Sequence, residues 1–208
     1  MKQTYKNLIL MSSSLVPGIG GPLSIFLDKY LPENIAEKRK KFLEMILDDF
    51  QRYDSFIKKD IIESDEFAGI FINIYEKILK EYRKEKIISF RNILLSKAID
   101  KKYEYDELNF FIRYVNEFNV DQIKILNYYY QGEIDGHCEA SKQNSIFNQM
   151  KSIWKDVDED YLMVCITELV RNRIFVSSSK NTNNKKESVL TPFGKRFVEY
   201  IFDPININ

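Results

Sequence analysis

The stretch "ENIAEKRKKFLEMILDDFQRYDSFIKKDII" (Glu33–Ile62) decides the fold class. Its apolar side chains recur at steps of three, four and seven positions, the spacing of one face of an α-helix. These positions are Ile35, Phe42, Ile46, Phe50, Tyr53, Ile57 and Ile61. The pattern predicts a helix of about 30 residues.

A second helical stripe follows directly. Ser64 is a predicted N-cap, and acids stand in the first turn after it, where the helix dipole favours them. The stripe comprises Phe67, Phe71, Ile74, Ile78 and Tyr82, and it resumes at Phe90 and Leu94. The charged run "KEYRKEK" (80–86) between its two parts is expected to be a solvated face of the same helix. Two long helices joined by a few residues are predicted to pack antiparallel.

A third stripe lies in "YDELNFFIRYVNEF" (105–118), at Leu108, Phe111, Ile112, Val115 and Phe118. The remaining residues predict a different module. Asn119 and Gln122 have the spacing of a reciprocal helix cap, and a helix is predicted in "SIFNQMKSIW" (145–154). Asp156 and Glu159 have capping-box spacing for a helix that runs to about Asn172.

The β-prone segments "IFVSSS" (174–179) and "ESVL" (187–190) flank a polar turn, and Thr191 with Pro192 starts a closing helix. Three helices, a β-hairpin and a final helix are the order of a winged helix. The predicted fold is mainly α, with long antiparallel helices followed by a C-terminal winged-helix module that carries a small β-hairpin. The predicted parts are an apolar N-terminal arm (1–31), a helical domain (32–118) and the winged-helix module (119–208).

Composition favours an intracellular protein with its own core. The 208 residues are 44% hydrophobic, and 31 basic side chains balance 31 acidic ones. No overall field therefore attracts nucleic acid or an anionic membrane. Two cysteines provide no disulfide framework. The expected location is the cytoplasm, or the periphery of the inner membrane if the arm binds lipid.

The segment from Asn7 to Leu27 contains no charged side chain. Its centre, "PGIGGP", predicts a hinge formed by Pro17, Gly18, Gly20, Gly21 and Pro22, because proline removes backbone donors and glycine accepts positive φ. Each apolar half is shorter than the ~20 residues that span a bilayer. The arm either packs on the helical core or contacts a partner or a membrane through Leu15, Val16, Ile19, Leu23, Ile25 and Phe26.

DNA binding by the winged helix is disfavoured by charge. The helix before a wing enters the major groove with its amino end, and here that end carries Asp156, Asp158, Glu159 and Asp160. These acids would oppose the counterion release that drives binding. The opposing feature is the wing tip, where Lys180, Lys185 and Lys186 are the alternative nucleic-acid contacts. A protein-contact module is the preferred interpretation.

No catalytic, metal or cofactor site is predicted. His137, Cys138 and Cys165 lack the spacings of a zinc site, and Cys165 falls on an apolar helix face beside Leu162 and Leu169. "PGIGGP" lacks the lysine and hydroxyl residue of a phosphate loop. The sequence predicts a protein that is not an enzyme and has no cofactor.

Several segments together resemble the Abi-alpha, or abortive-infection alpha, family of bacterial proteins. They are "FLDKYLP" (26–32), "KRKKFLEMILDDF" (38–50), the stretch 64–94, and "ITELVRNRIFVSS" with "LTPFGKRFVEYI" (166–178 and 190–201). The resemblance implies a non-enzymatic role in phage defence or phage competition, through another protein of host or phage, self-association, or a membrane. It implies no catalytic residues. The alternative function is a winged-helix transcription regulator that binds DNA.

Overall fold

The computed structural model describes residues 36–99, 105–134, 143–176 and 189–205. These residues belong to two compact units, of which the first reaches Asn116 and the second comprises Glu117–Asp203. Both units are built from helices, and the described ranges contain no β-strand. The mainly α fold class is therefore confirmed. Among the helices described, none combines the length and the apolar character needed to cross a bilayer.

The first unit surrounds one buried helix. Its helices are α1 (Ala36–Arg52), α2 (Lys59–Ile62), α3 (Asp65–Ile78), α4 (Lys84–Ala98) and α5 (Tyr105–Glu117), the last of which crosses the unit boundary. Helix α4 packs against α1, α2 and α3. It is buried on nearly every side, including the polar residues Lys86, Ser89, Asn92, Ser96 and Lys97. A helix enclosed in this way needs internal partners for its polar groups.

The prediction of one helix over residues 33–62 is wrong. Helix α1 ends at Arg52, and α2 begins only at Lys59. Between them the chain turns, and the N–H of Lys58 donates to the carbonyl oxygen of Ala98 at the end of α4, at 2.9 Å. Phe42, Ile46 and Phe50 are buried as the stripe predicts, whereas Ile57 and Ile61 are only half-buried. The N–H of Lys58 thus donates to α4 and not to a carbonyl oxygen of its own helix.

The prediction of one helix through "KEYRKEK" is also wrong. Helix α3 ends at Ile78 and α4 starts at Lys84, so the charged run is the connection between two helices. Glu81 and Lys86 are not solvated, with 6% and 1% of their surfaces exposed. The carboxylate of Glu81 accepts hydrogen bonds from the N–H groups of Tyr82 and Arg83. A side chain that takes up backbone donors in this way competes with the helix and ends it.

Two other features of this unit agree with the sequence. The Ser64 hydroxyl caps α3 by accepting from the N–H of Phe67, at 3.1 Å. The stripe in α5 is buried as predicted at Leu108, Phe111, Ile112 and Val115. The cap and the stripe are local patterns, which sequence spacing reports directly.

The second unit contains α6 (Val120–Ile134), α7 (Gln143–Ile153), α8 (Glu159–Arg171) and α9 (Pro192–Phe202). Asn119 and Gln122 cap α6 reciprocally, since each side-chain oxygen accepts the other residue's N–H at 2.8 Å. Thr191 caps α9 through the N–H of Gly194, with Pro192 in the first turn, as predicted. The cap of α8 differs from the prediction: Asp158, not Asp156, accepts from the N–H of Tyr161.

The predicted β-hairpin is not shown. One isolated antiparallel bridge joins Phe175 and Leu190, and residues 177–188 lie outside the described ranges. Two residues after the end of α8, Arg173 has φ 60°; the N–H of Ile174 donates to the carbonyl oxygen of Leu169, and that of Arg173 to the carbonyl oxygen of Val170. This is the Schellman arrangement, in which glycine is the usual left-handed residue. It turns the chain from α8 into the bridge.

Candidate functional site

An open groove lies in the second unit, where the chain passes from α7 to α8. Its volume is about 480 Å³, and its lining residues are Asp121, Lys124, Ile153, Trp154, Lys155, Asp156 and Val157. We call it the Trp154 groove. Trp154 is the single tryptophan of the chain. The groove combines an aromatic ring and aliphatic side chains with charges of both signs, a composition suited to an amphipathic ligand.

Local hydrogen bonds give the groove its shape. The N–H of Trp154 donates to Met150 at 2.8 Å, and the N–H of Val157 donates to Trp154 at 3.3 Å. Asp158 then caps α8. The backbone of the turn that carries the groove residues 154–157 is therefore fixed at its start and at its end.

Helix α8 is attached to the amino end of α6 by side chains. The Tyr161 hydroxyl donates to Asp121 Oδ2 at 3.1 Å, and Gln122 Nε2 donates to Glu168 Oε2 at 2.8 Å. Burial of the hydroxyl, and then its contacts with Cys165 and Asp121, raise the pKa of Tyr161. A phenol is neutral at physiological pH even without this shift, so Tyr161 donates to Asp121 in its ordinary state.

The outer face of α8 exposes two apolar side chains, one of which, Tyr161, is bonded to the groove residue Asp121. Val164 is 56% exposed and Tyr161 is 40% exposed, and Ile153 on the groove wall is 44% exposed. The opposite face carries the buried residues Leu162, Cys165, Ile166 and Leu169, in agreement with the predicted packing role of Cys165. Val164, Tyr161 and Ile153 are the exposed apolar groups of this region.

Acidic groups outnumber basic groups around this apolar surface. Lys124 pairs with Asp121 at 3.3 Å, and Lys151 pairs with Glu159 at 2.5 Å. Within the described ranges, three acids have no ion-pair partner: Asp156, Asp158 and Asp160. Of the basic residues that line the groove, Lys155 also has no ion-pair partner in these ranges. The uncompensated charge at the rim is negative.

A second cluster of charges lies inside the first unit. Glu81 accepts from Arg83 Nε and Arg83 Nη2, each at 2.8 Å, and its Oε2 lies 3.4 Å from Lys86 Nζ. Lys86 Nζ also donates to the carbonyl oxygen of Asn116 at 2.7 Å. Burial opposes the charge of Glu81, but the hydrogen bonds from Arg83 and Tyr82 outweigh it and lower its pKa to about 2. Burial lowers the pKa of Lys86, and the Glu81 charge opposes that effect. These partners lie within the unit, so the cluster links its helices.

Most of the candidate functional residues predicted from the sequence lie outside the described ranges. They include the hinge (Pro17, Gly18, Gly20, Gly21 and Pro22) and the proposed arm contacts (Leu15, Val16, Ile19, Leu23, Ile25 and Phe26). The wing lysines Lys180, Lys185 and Lys186, together with His137 and Cys138, lie outside as well. In the part of the chain that is described, no group of three His, Cys, Asp or Glu side chains is placed to hold a metal ion.

The Trp154 groove is not among the sites predicted from the sequence. A usable signal was present, because the tryptophan directly precedes the acid-rich "KDVDED" (155–160) at the end of a predicted helix. Comparison with known proteins adds no relative: no family model, curated protein or solved structure matches this chain.

Proposed function

We propose that this protein is a non-enzymatic, phage-defence-associated protein that acts by contacting another protein through its second unit. The observation that carries the proposal is the outer face of α8, where Tyr161 and Val164 are exposed among acids. This composition favours a protein partner, since protein contacts are centred on aromatic and aliphatic side chains. The link to phage defence comes from the resemblance to the Abi-alpha family.

The order of elements in the second unit supports a winged-helix module as the finer description. Helices α6, α7 and α8 are followed by the bridge between Phe175 and Leu190, and then by α9. In this interpretation α8 occupies the position of a recognition helix. We therefore propose that α8 contacts a protein from the position that a recognition helix occupies in a DNA-binding winged helix.

DNA binding is the alternative, and two exposed arginines favour it, Arg171 at the end of α8 and Arg173 directly after it. Against it, the amino end of α8 exposes Asp158, Glu159 and Asp160. A DNA-binding helix of this type places its amino end on the bases, close to phosphates that repel carboxylates. The charges therefore favour the protein-contact function.

The test of the proposed function is a plating assay with a panel of phages on cells that produce the protein. We expect protection to be lost in Val164→Lys, because a charge replaces the apolar contact on α8. Ile72→Lys is the matched control, since Ile72 is also an exposed apolar helix residue, at 36%, and lies in α3 of the first unit. The control should protect as the unchanged chain does.

A duplex-binding assay at near-physiological salt separates the two functions. We expect weak and sequence-independent binding, with Lys185→Glu combined with Lys186→Glu leaving phage protection intact. Tight, sequence-selective binding that these two changes abolish would establish the DNA-binding alternative instead.

A further inference from the structure

We propose that the Trp154 groove, with the adjoining outer face of α8, binds a cationic amphipathic helix of a partner protein. The inference rests on the proposed function and names the chemistry of the partner. The two faces of such a helix correspond to two features of the surface, its exposed apolar side chains and its acidic rim.

The apolar side of this surface consists of five side chains from the groove and from α8. Ile153, Trp154 and Val157 line the groove, while Tyr161 and Val164 are exposed on α8. Asp121 joins the two parts, because it lines the groove and accepts the hydrogen bond from Tyr161. An amphipathic helix could contact these side chains with the apolar stripe at its positions i, i+3, i+4 and i+7.

The acidic rim determines the sign of the partner's charge. Lys124 and Lys151 already pair with Asp121 and Glu159. Asp156 and Asp160 are exposed and have no ion-pair partner within the described ranges. Lysine or arginine side chains on the flanks of an incoming helix would supply the missing partners, and complementary charge speeds encounter and excludes acidic competitors. The same carboxylates would repel an anionic lipid surface.

Trp154 provides a direct readout, since the chain has no other tryptophan. The probe is a tryptophan-free peptide of about 18 residues, with leucine at the helical stripe positions and lysine elsewhere. One comparison peptide replaces every lysine by glutamate, and another keeps the composition in scrambled order. We expect a saturable change in Trp154 emission with the lysine peptide, binding about tenfold weaker for the scrambled peptide, and none for the glutamate peptide.

Charge variants locate the binding surface. Asp156→Lys combined with Asp160→Lys should weaken lysine-peptide binding about tenfold, the effect of removing two exposed ion pairs. Asp60→Lys combined with Glu76→Lys is the matched control, because both acids are exposed in the first unit and the net charge changes equally. Ile153→Ser should also weaken binding, whereas Ile72→Ser should not. Circular dichroism verifies that each variant is folded.

Three results would overturn the inference: no change in Trp154 emission with the lysine peptide, equal binding of the glutamate peptide, or equal weakening by the control charge pair. A response to anionic phospholipid vesicles without one to the peptide would also overturn it, in favour of a membrane. Phage plating tests the proposed function separately from peptide binding. Peptide binding lost in the groove variants while protection persists would leave the groove established and refute the proposed function.

Discussion

The ammonium nitrogen of Lys86 lies 2.7 Å from the carbonyl oxygen of Asn116, a residue 30 positions later in the chain. This bond ties the start of α4 to the last turn of α5. Lys86 is 1% exposed, and its charge faces Glu81 at 3.4 Å. A buried ammonium that keeps a carboxylate and a carbonyl as partners stabilises one arrangement of helices, whereas losing one partner is costly.

Glu81 makes stability depend on pH. Its pKa falls from the ordinary value of 4.5 to about 2 in the folded protein. Because the folded pKa is depressed, the contribution is fully present above pH 4.5 and is lost as the pH falls towards 2. We expect the free energy of unfolding, measured by urea denaturation followed by circular dichroism, to decrease across this window.

Glu81→Gln should flatten this pH dependence and lower stability at neutral pH by about 3 to 5 kcal/mol, since Lys86 then lacks its counter-charge. Glu76→Gln, at an exposed position of α3, is the matched control and should retain the normal profile. Equal profiles for the unchanged chain and Glu81→Gln would refute the role assigned to this carboxylate.

The core of the first unit gives a second prediction. Phe50 in α1 and Phe71 in α3 are 4% and 5% exposed, and the Phe50 ring centre lies 6.3 Å from that of Phe67. Replacing either residue by alanine should cost about 3 to 5 kcal/mol, because each change leaves a cavity. Phe56→Ala is the control, since this ring is 48% exposed. Thermal melts in which the three variants coincide would contradict the assigned burial.

Helix caps and apolar stripes can be predicted from the sequence, whereas breaks in helices that depend on tertiary contacts cannot. Asn119 with Gln122, and Thr191 with Pro192, were identified because a cap depends on residues within one turn. The break after Arg52 depends on the carbonyl of Ala98, and the break at Glu81 depends on the burial of a charged side chain. Helical periodicity continues through both breaks, so a pattern alone cannot detect them.

The candidate site was harder to predict for the same reason. Asp121 and Tyr161 are 40 positions apart and meet only when α6 packs against α8. The acids at the amino end of α8 are visible in the sequence and argue against DNA binding, but the groove beside them requires the turn at Trp154. A groove is a product of packing, and spacing along one helix does not encode it.

The uncharged N-terminal run gives a prediction that rests on the sequence. If residues 1–27 form a contact arm with a hinge at Gly20 and Gly21, their deletion should leave a folded, soluble chain that no longer protects against phage. Gly20→Val combined with Gly21→Val should likewise reduce protection. Phage plating measures the protection, and cell fractionation before and after infection measures whether each variant is soluble. An insoluble deletion variant would contradict the arm and indicate that these residues cover the core.

Gly194 provides the most local prediction of packing in the second unit. It lies in the first turn of α9, where its N–H donates to the Thr191 hydroxyl at 2.9 Å. A Cβ at this position would lie 2.1 Å from the carbonyl oxygen of Ile174, which already accepts the N–H of Thr191. The backbone after α8 therefore approaches α9 closely, and only a residue without a side chain permits that contact.

Gly194→Ala should destabilise the second unit by about 1 to 3 kcal/mol or more, because the backbone must shift to remove the clash. Trp154 emission during urea unfolding reports this unit. Gly69→Ala is the matched control in α3, where the added Cβ would meet only the Tyr105 hydroxyl, at 3.2 Å, at the end of a side chain that can move. The control should leave the Trp154 transition unchanged. Coincident Trp154 transitions for Gly194→Ala and the unchanged chain would show that α9 does not press on Ile174.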